Sequence, residues 1–527
     1  NDTLTGGAGD DTLTGGAGDD TLTGGSGDDT VIVNNFSGLD SFDGGAGQDT
    51  IRFEPSDGRN LTIFVEQGGV GDGRRGGQSF QNFEQIITGN GNDNLIGDAN
   101  DNSLSAGAGN DTLTGNAGDD ALTGGSGEDL LVGGEGDDTL NGGGGIDTTD
   151  YSEAVSSVNV DLTAGTTTIT SPIRLMPLGD SITEGLETDP DGGYRIPLWN
   201  SFVSDGFDID FVGSLQTGPP TIDVDHEGHR GFRIDEIADS VDDWLSTAQP
   251  DTILLMIGTN DILGNFDLEN APDRLSSLID QITAQAPDAD LFVSSIAPGE
   301  RAVDDTQQTI DFNAAIQPII EAKGGNVTFV DINSQLSLSD LIDEIHPNAV
   351  GYEKIADAWY EAIADEISSN NIIEQDTLNS IENVIGSTFR DTLTGNNGAN
   401  LLTGGEGSDV LTGNGGGDSF VYTALSEGGD TITDFGSDDF FQISAAAFGG
   451  GLTSGVALST IASAAGSFVS GTSPSPLGSS ANFLYDTSDP NQGVLRFDSD
   501  GTGSSSSSIL ATLTGAPGLT ADQFILV

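Results

Sequence analysis

Two periodicities of apolar positions alternate along the chain. From Gly6 one apolar residue returns every nine positions, at Leu13, Leu22 and Val31, and again at Leu113, Leu122, Leu131 and Leu140, each in a glycine- and aspartate-rich frame. A lone apolar side chain beside β-forming Thr, closed on both sides by glycine turns, predicts a short strand. Between 171 and 370 the texture changes to longer aliphatic runs separated by amphipathic stretches. These runs predict buried strands at 173–178, 209–213, 252–257, 290–295 and 327–331, helices in most gaps, and a last helix from Ala349 to Ile367. Such alternation predicts a parallel, doubly wound α/β sheet. After Asp418 the chain turns Ser- and Gly-rich, with short strands at Phe420–Tyr422, Phe483–Tyr485 and Val494–Phe497 and an apolar ending, Phe524–Val527.

Two stretches interrupt the nine-residue rhythm in the same way. The first runs from Asp49 through Leu61–Val65 to Phe80–Ile87 and returns to repeats at Gly89. The second opens at Asp147–Tyr151 and passes Val158–Leu162, but its closing phrase, Leu378–Gly386, arrives more than two hundred residues later. The α/β segment is therefore expected to be a guest in a surface loop of a β unit, an arrangement tolerated when the guest's own termini lie close together. Two independent domains joined by linkers are the alternative. The expected division is 1–170 repeats with an intervening β unit, 171–370 the α/β domain, 371–422 further repeats and 423–527 a C-terminal β region.

Composition changes the picture in one direction. The chain has 527 residues, 78 of them Gly, no Cys, and a net charge of −71 with only 14 Lys and Arg. Nucleic acid needs basic side chains for its phosphates, so it is excluded as a partner, and an anionic membrane surface likewise. No apolar run approaches the roughly 20 residues of a membrane-spanning helix. The absence of Cys rules out a disulfide framework. Because the chain begins inside a repeat, its natural N-terminus is expected to lie upstream.

So many carboxylates imply a cation. The sixth position of the nonapeptide holds Asp11, Asp20 and Asp29, and the same slot recurs at Asp49, Asp93, Asp111, Asp120, Asp129, Asp138, Asp409 and Asp418. Glycine turns aim carbonyls inward and the Asp adds hard carboxylate oxygen, which suits Ca²⁺. One apolar side chain per nine residues is little core, so the stack is expected to need its metal. Asn102 and Asn400 replace the Asp, and those turns are expected to bind weakly or not at all. A disordered Gly/Asp/Thr linker is the alternative. The frame resembles the RTX nonapeptide repeat. That resemblance implies an all-β parallel β-roll, structural Ca²⁺ on the order of ten ions, room for self-assembly through the repeats, and export by a type I secretion apparatus to the extracellular space. The ending Asp522–Val527 resembles the uncleaved export segment of such proteins, with a plain edge strand as the alternative.

The chemistry is carried by the α/β segment. The strand at 173–178 stops at Gly179-Asp180-Ser181, delivering a serine to the C-terminal edge of a sheet, where ligands bind in open α/β folds. Only three histidines exist, His226, His229 and His346. His346 follows Asp343 by three residues, a spacing that lets the carboxylate hold Nδ1 while Nε2 takes a serine proton. The setting is not the Gly-x-Ser-x-Gly elbow of α/β-hydrolases. His226-Glu227-Gly228-His229 is not a zinc motif, and a pocket-wall role is expected for that pair.

Four ordered blocks, Gly179-Asp180-Ser181, Gly231, Gly258-Thr259-Asn260-Asp261 and Asp343-Glu344-Ile345-His346-Pro347, resemble those of the SGNH (GDSL-like) hydrolases. The resemblance implies a flavodoxin-like α/β hydrolase with Ser181 as nucleophile, His346 as base and Asp343 as its orienting acid. It further implies an oxyanion hole from Gly231, Asn260 and the Ser181 N–H, with no cofactor in catalysis. Arg174–Pro177, Gly193-Tyr194-Arg195, Asp210–Ser214 and His226–Gly231 are similar to family-three carbohydrate esterases, which implies acetyl or other small acyl groups removed from polysaccharide or related esters. Glu344-Ile345 departs from the Gly-Leu more usual in that branch. A structural surface-layer, matrix or filament protein with the hydrolase as an accessory is the rival reading.

Overall fold

The computed structural model describes the chain except for residues 66–68, 72–77, 187–189, 205–206, 300–304, 368–371, 462, 464–465 and 502–506. It divides into two compact units, Asn1–Thr170 with Ile372–Val527, and Ser171–Asn371.

In the first unit each short strand pairs in parallel with the one two repeats further on, as in Leu4 opposite Leu22, Leu104 opposite Leu122 and Leu113 opposite Leu131. Two nonapeptides thus make one coil, and successive strands fall alternately into two facing sheets. Alternation along a strand sends the eighth-position side chain between the sheets, so Leu22, Leu95, Leu113, Leu122, Leu131 and Leu140 are buried. The single apolar residue of each repeat stacks on its neighbours above and below. What looks sparse in sequence is a continuous core running from Leu13 through Leu140, Val158 and Leu393 to the C-terminal aromatics.

Residues 371–422 and 423–527, read in sequence as separate parts, continue this roll. Asn383–Ile385 pairs with Thr148–Asp150, Ser419–Tyr422 with Phe440–Ile443, and Phe440–Ile443 with the final strand Phe524–Leu526. Strand pairing crosses the change in composition because it depends on the inward side chains, which stay apolar. Phe524 ends the core against Phe441, Phe468 and Phe483.

The guest's doorway is a hairpin. Ser157–Asp161 runs antiparallel to Thr166–Thr170, and Thr166–Thr170 antiparallel to Ile372–Asn379, with Thr170 opposite Ile372. The chain leaves the roll and returns to it at paired positions, so both ends of the insert are close. The first β unit is built alike, with Thr62–Phe64, Gly69–Gly71 and Gln78–Gln81 antiparallel in turn. The expected boundary at 370 lies outside the described residues.

The second unit is a parallel sheet in the order Ile209–Phe211, Ile173–Gly179, Thr252–Met256, Asp290–Ser294, Val327–Val330. Asp225–Gly228 joins the far end of Ile173–Gly179. This is the flavodoxin-like order, with its switch point between Ile173–Gly179 and Thr252–Met256. Side chains alternate into two cores: Ile253, Leu255, Leu291 and Val293 on one face, Leu254, Met256, Phe292 and Val330 on the other. Helices Val241–Ala248 and Ala271–Gln285 cover the first; Arg195–Ser204 and Ala349–Ile367 cover the second. Among the described residues no helix is long and apolar enough to cross a membrane.

Candidate active site and calcium ladder

The strand Ile173–Gly179 delivers Asp180 and Ser181 at the sheet's C-terminal edge. Asp180 caps the short helix Ser181–Glu184, its carboxylate accepting the Ile182 N–H at 3.0 Å. Burial pushes the Asp180 carboxyl up to about 6, partly offset by that N–H and by His346. Ser181 Oγ lies 2.9 Å from His346 Nε2, and His346 Nδ1 lies 2.7 Å from Asp343 Oδ2. Nδ1–H donated to the carboxylate leaves Nε2 unprotonated toward the hydroxyl. The other Asp343 oxygen accepts the N–H of His346 at 2.6 Å and of Ile345 at 3.1 Å. Partial burial pushes the Asp343 carboxyl up, but these N–H groups and the His346 ring outweigh it and hold it below the ordinary range. The turn runs through Glu344 at φ +72°, a conformation glycine adopts freely and Glu does not.

Gly231 and Asn260 converge on the same edge. Asn260 Nδ2 donates to Phe232 O at 2.9 Å and, more weakly, to Asp180 Oδ2 at 3.3 Å. Gly231 sits at φ +81° with nothing within 4 Å of where a Cβ would stand; its glycine answers to backbone conformation rather than to space. Among the described residues, the Ser181 and Gly231 N–H groups have no intramolecular acceptor.

Arg195, which the sequence marks only as part of a resemblance and with no role, lies beneath this edge. Its fully buried guanidinium donates only to carbonyls: Thr183 at 3.1 Å, Glu184 at 3.1 Å, Val224 at 3.2 Å and Thr217 at 2.6 Å. Burial draws it down to about 10. It ties the helix that starts with Ser181 to the loop from Thr217 to Val224. His226 is buried, its Nδ1 accepting the Gly228 N–H at 3.0 Å, and burial pulls it down to about 3. His229 pairs with Glu227 at 2.7 Å. Among the described residues no three His, Asp or Glu side chains are grouped as a metal site.

The roll carries a ladder of carboxylates. Asp11 N–H donates to Asp29 Oδ1, Asp29 to Asp49, Asp93 to Asp111, Asp111 to Asp129 and Asp120 to Asp138, all at 2.6–2.8 Å. Asp20 belongs to it through its contact with Asp40. The Oδ2 atoms of Asp11, Asp20, Asp29, Asp49, Asp93, Asp111, Asp120, Asp129, Asp138, Asp147 and Asp409 are buried with no partner. Burial pushes Asp111 and Asp120 up to about 6 and Asp138 to about 8. Rows of buried, unpartnered carboxylate oxygens fit a hard cation. With too few carboxylates per turn for a metal alone, backbone carbonyls would supply the remaining oxygens. The first glycine of each repeat leaves room for the Asp: a Cβ on Gly133 would collide with Asp138 Oδ2.

At the substituted turns the amide closes the loop on itself. Asn102 Oδ1 accepts the Asp98 N–H at 2.7 Å, and Asn400 Oδ1 the Asn396 N–H at 2.9 Å. The ladder also reaches Asp147, in the sixth slot of the repeat that opens at Gly142, and two residues outside the nonapeptide frame, Asp430 and Asp439. Asp129 N–H donates to Asp147, Asp409 N–H to Asp430 and Asp418 N–H to Asp439. Only spacing of about twenty residues from the preceding Asp marks Asp430 and Asp439 in sequence, and that signal is faint.

Residues 178–354 match the GDSL-like lipase/acylhydrolase family. Residues 1–31, 36–53, 87–122, 114–149 and 385–420 match the RTX calcium-binding nonapeptide repeat. The chain is 30% identical over 231 residues to a multidomain esterase of Ruminococcus flavefaciens, covering 38% of this chain and 29% of that protein. Among solved structures it is similar to a Clostridium thermocellum family 3 carbohydrate esterase, with 38% identity, TM-score 0.35, and coverage of 37% of this chain and 97% of that one. A carbohydrate esterase family 3 structure from Talaromyces cellulolyticus shows 26% identity, TM-score 0.34, and coverage of 37% and 98%. The chain therefore carries a GDSL-like hydrolase domain of the esterase class and RTX calcium-binding repeats.

Proposed function

We propose that this chain is a secreted, calcium-stiffened serine esterase that removes small acyl groups, acetyl first among them, from polysaccharide. The observation that carries the reading is the continuous hydrogen-bonded path from Ser181 through His346 to Asp343. In this reading His346 Nε2 accepts the Ser181 proton as Oγ attacks the ester carbonyl, and Asp343 stabilises the imidazolium that forms. The Ser181 and Gly231 N–H groups receive the developing oxyanion. Asn260 joins them by exchanging its weak contact with Asp180 for the substrate oxygen. The imidazolium then gives its proton to the leaving sugar oxygen as the ester C–O bond breaks. Water, deprotonated by His346, attacks the acyl-serine and releases the acid and Ser181. Arg195 keeps the first turn after Ser181 in place throughout.

Acetyl and polysaccharide are supported by the likeness of residues 174–231 to family-three carbohydrate esterases and by the esterase relative. Extracellular location and type I export are supported by the RTX repeats, which in this reading bind Ca²⁺ for folding and stiffness and leave catalysis metal-free. A scaffold or surface-layer role, with self-assembly through the repeats, is favoured by one observation: the roll's core is continuous through both sides of the insert and makes up most of the chain.

Hydrolysis of p-nitrophenyl acetate and of acetylated xylan by the calcium-loaded chain tests the reading. Ser181→Ala and His346→Ala are each expected to lower kcat by 10³-fold or more, on the order seen when a triad member is removed, with the circular dichroism spectrum unchanged. An active Ser181→Ala variant would remove the assignment. An inactive wild type with an intact fold would leave the scaffold role.

A further inference from the structure

Glu227, His229, Phe232 and Trp244 form a group beside the site that the proposed proton transfers do not use. Glu227 is buried, its side chain 1% exposed. Its carboxylate accepts the Ser214 N–H at 2.7 Å, the Ser214 hydroxyl at 2.7 Å, and faces His229 Nε2 at 2.7 Å. The His229 ring lies flat between two aromatic rings, 4.4 Å from Trp244 at 11° and 4.8 Å from Phe232 at 20°. Its backbone is fastened as well. The His229 N–H donates to Gly179 O at 2.9 Å, and His229 O accepts the Phe232 N–H at 3.1 Å.

These bonds join three segments. Gly179 leads into Asp180 and Ser181. His229 to Phe232 is the turn that presents the Gly231 N–H. Phe232 O is the acceptor that holds the Asn260 amide at 2.9 Å. The His229 backbone therefore stands where the carriers of all three oxyanion donors meet. Its imidazole, held by Glu227 and stacked on Phe232 and Trp244, anchors that backbone.

A filler role is the bland account, and the chemistry speaks against it. A Leu or Phe would fill the gap between Trp244 and Phe232 with no need of a carboxylate. Burying Glu227 is costly unless its hydrogen bonds do something that packing cannot. What a directed Nε2 contact adds is ring orientation: stacking fixes the plane, and Glu227 fixes rotation within it. A donor displaced by about 1 Å can cost on the order of 10²-fold in rate, so this control matters for the turn carrying Gly231.

We propose that His229, oriented by Glu227 and clamped between Trp244 and Phe232, is a positioning residue that sets the Gly231 N–H and the Asn260 amide against the oxyanion forming at Ser181. The inference rests on the esterase reading given above. His229 acts through the turn and takes no proton from substrate.

The experiment uses the full calcium-loaded chain with p-nitrophenyl acetate, measuring kcat, KM, the pH–rate profile and thermal melting. His229→Gln is expected to lower kcat by about 10- to 100-fold, with KM within about threefold and the acid limb of the profile unmoved. Trp244→Phe preserves the stack and is expected to stay within about threefold of wild type, whereas Trp244→Leu is expected to behave like His229→Gln. Glu227→Gln, which retains a polar contact to the ring, is expected to fall between them. Wild-type kcat in His229→Gln would overturn the inference, as would a rate loss matched by loss of folded protein. A shifted acid limb would also overturn it, by making His229 a group that titrates in the reaction. Ser181→Ala, run alongside, separates the two levels. If it is active, the esterase reading fails; if it is silent while His229→Gln keeps full rate, only this inference fails.

Discussion

Leu255 and Leu122 are both fully buried strand leucines, yet their surroundings differ in kind. Leu255 lies in Thr252–Met256, where all five residues are buried and helices cover both faces. Leu122 lies in Ala121–Gly127, where only Leu122 and Gly124 are buried, and Asp120 and Asp129, buried and unpartnered at Oδ2, stand on either side. The insert gains its stability from apolar area, at about 25 cal/mol per Å². The roll gains less per residue that way, and it holds a file of buried carboxylates that oppose its own closure when ionised. One unit closes over apolar cores alone; the other sets beside its core a file of buried carboxylates that fit a cation. Function divides along the same line, with the reactive geometry on the unit that carries two apolar cores.

The sharpest way to break this comparison is to remove the cation. Chelation with EDTA is expected to erase most of the roll's β signal in circular dichroism, because ladder carboxylates would then stand buried and uncompensated. Esterase activity is expected to fall less than about threefold, since the insert has two cores of its own. Parallel loss of both signals would mean that the host stabilises the guest. A fragment of residues 171–370 that stays active in EDTA would restore the distinction.

How far that distinction can be read from sequence differs between the units. Leu13, Leu22 and Val31 announce the roll because its period is local, and Asp11 to Asp138 come with it. Asp430 and Asp439 do not, since they join the ladder through strand pairing rather than through the nonapeptide. In the insert, apolar runs place all five long strands to within two residues; Ile209–Phe211 and Thr252–Met256 simply end earlier than their apolar runs. Asp343 and His346 are legible as a pair because one turn carries both. Their meeting with Ser181 is not local, and only block order suggests it. Arg195 is marked by its resemblance, but its role is not legible, because a guanidinium satisfied by carbonyls is a property of the packed structure. The same holds for the Glu227–His229 pair, where sequence offers two histidines and an acid but not the rings that enclose them.

A second, smaller effect sharpens the contrast through pH. Burial pushes Asp138 up to about 8 and Asp111 and Asp120 to about 6, against an ordinary value of 3.8. A carboxyl whose folded value is raised binds more protons folded than unfolded, so stability falls as pH rises from the unfolded value through the folded one. Without calcium, the roll is therefore expected to keep more residual β signal at pH 5 than at pH 8. With saturating calcium the order is expected to reverse, because only ionised carboxylates hold the ion. Melting followed by circular dichroism at both pH values, with and without chelator, checks the sign. A calcium-free roll that is more stable at pH 8 would mean that the ladder carboxylates are already compensated within the protein.

The smallest expected effect concerns one backbone angle in the insert. Glu344 sits at φ +72°, in the left-handed region, where a side chain costs about 1 kcal/mol that glycine avoids. The turn cannot relax out of it, because Asp343 accepts the N–H groups of both Ile345 and His346 and these bonds require the chain to fold back at residue 344. Glu344→Gly removes that cost in the folded state and adds chain freedom in the unfolded state, so the net gain is expected to be at most about 1 kcal/mol. For a domain of this size that is a rise of roughly 2–4 °C in the insert's melting transition, with the roll's calcium-dependent transition unmoved. Glu344→Val, β-branched and poorly suited to positive φ, is expected to shift the same transition downward. Because the Asp343–His346 contact does not pass through the Glu344 side chain, kcat in Glu344→Gly is expected to stay within about twofold of wild type. A large change in kcat at constant melting temperature would instead mean that the Glu344 carboxylate acts on substrate, so that its presence in place of glycine would be a matter of specificity rather than of backbone strain.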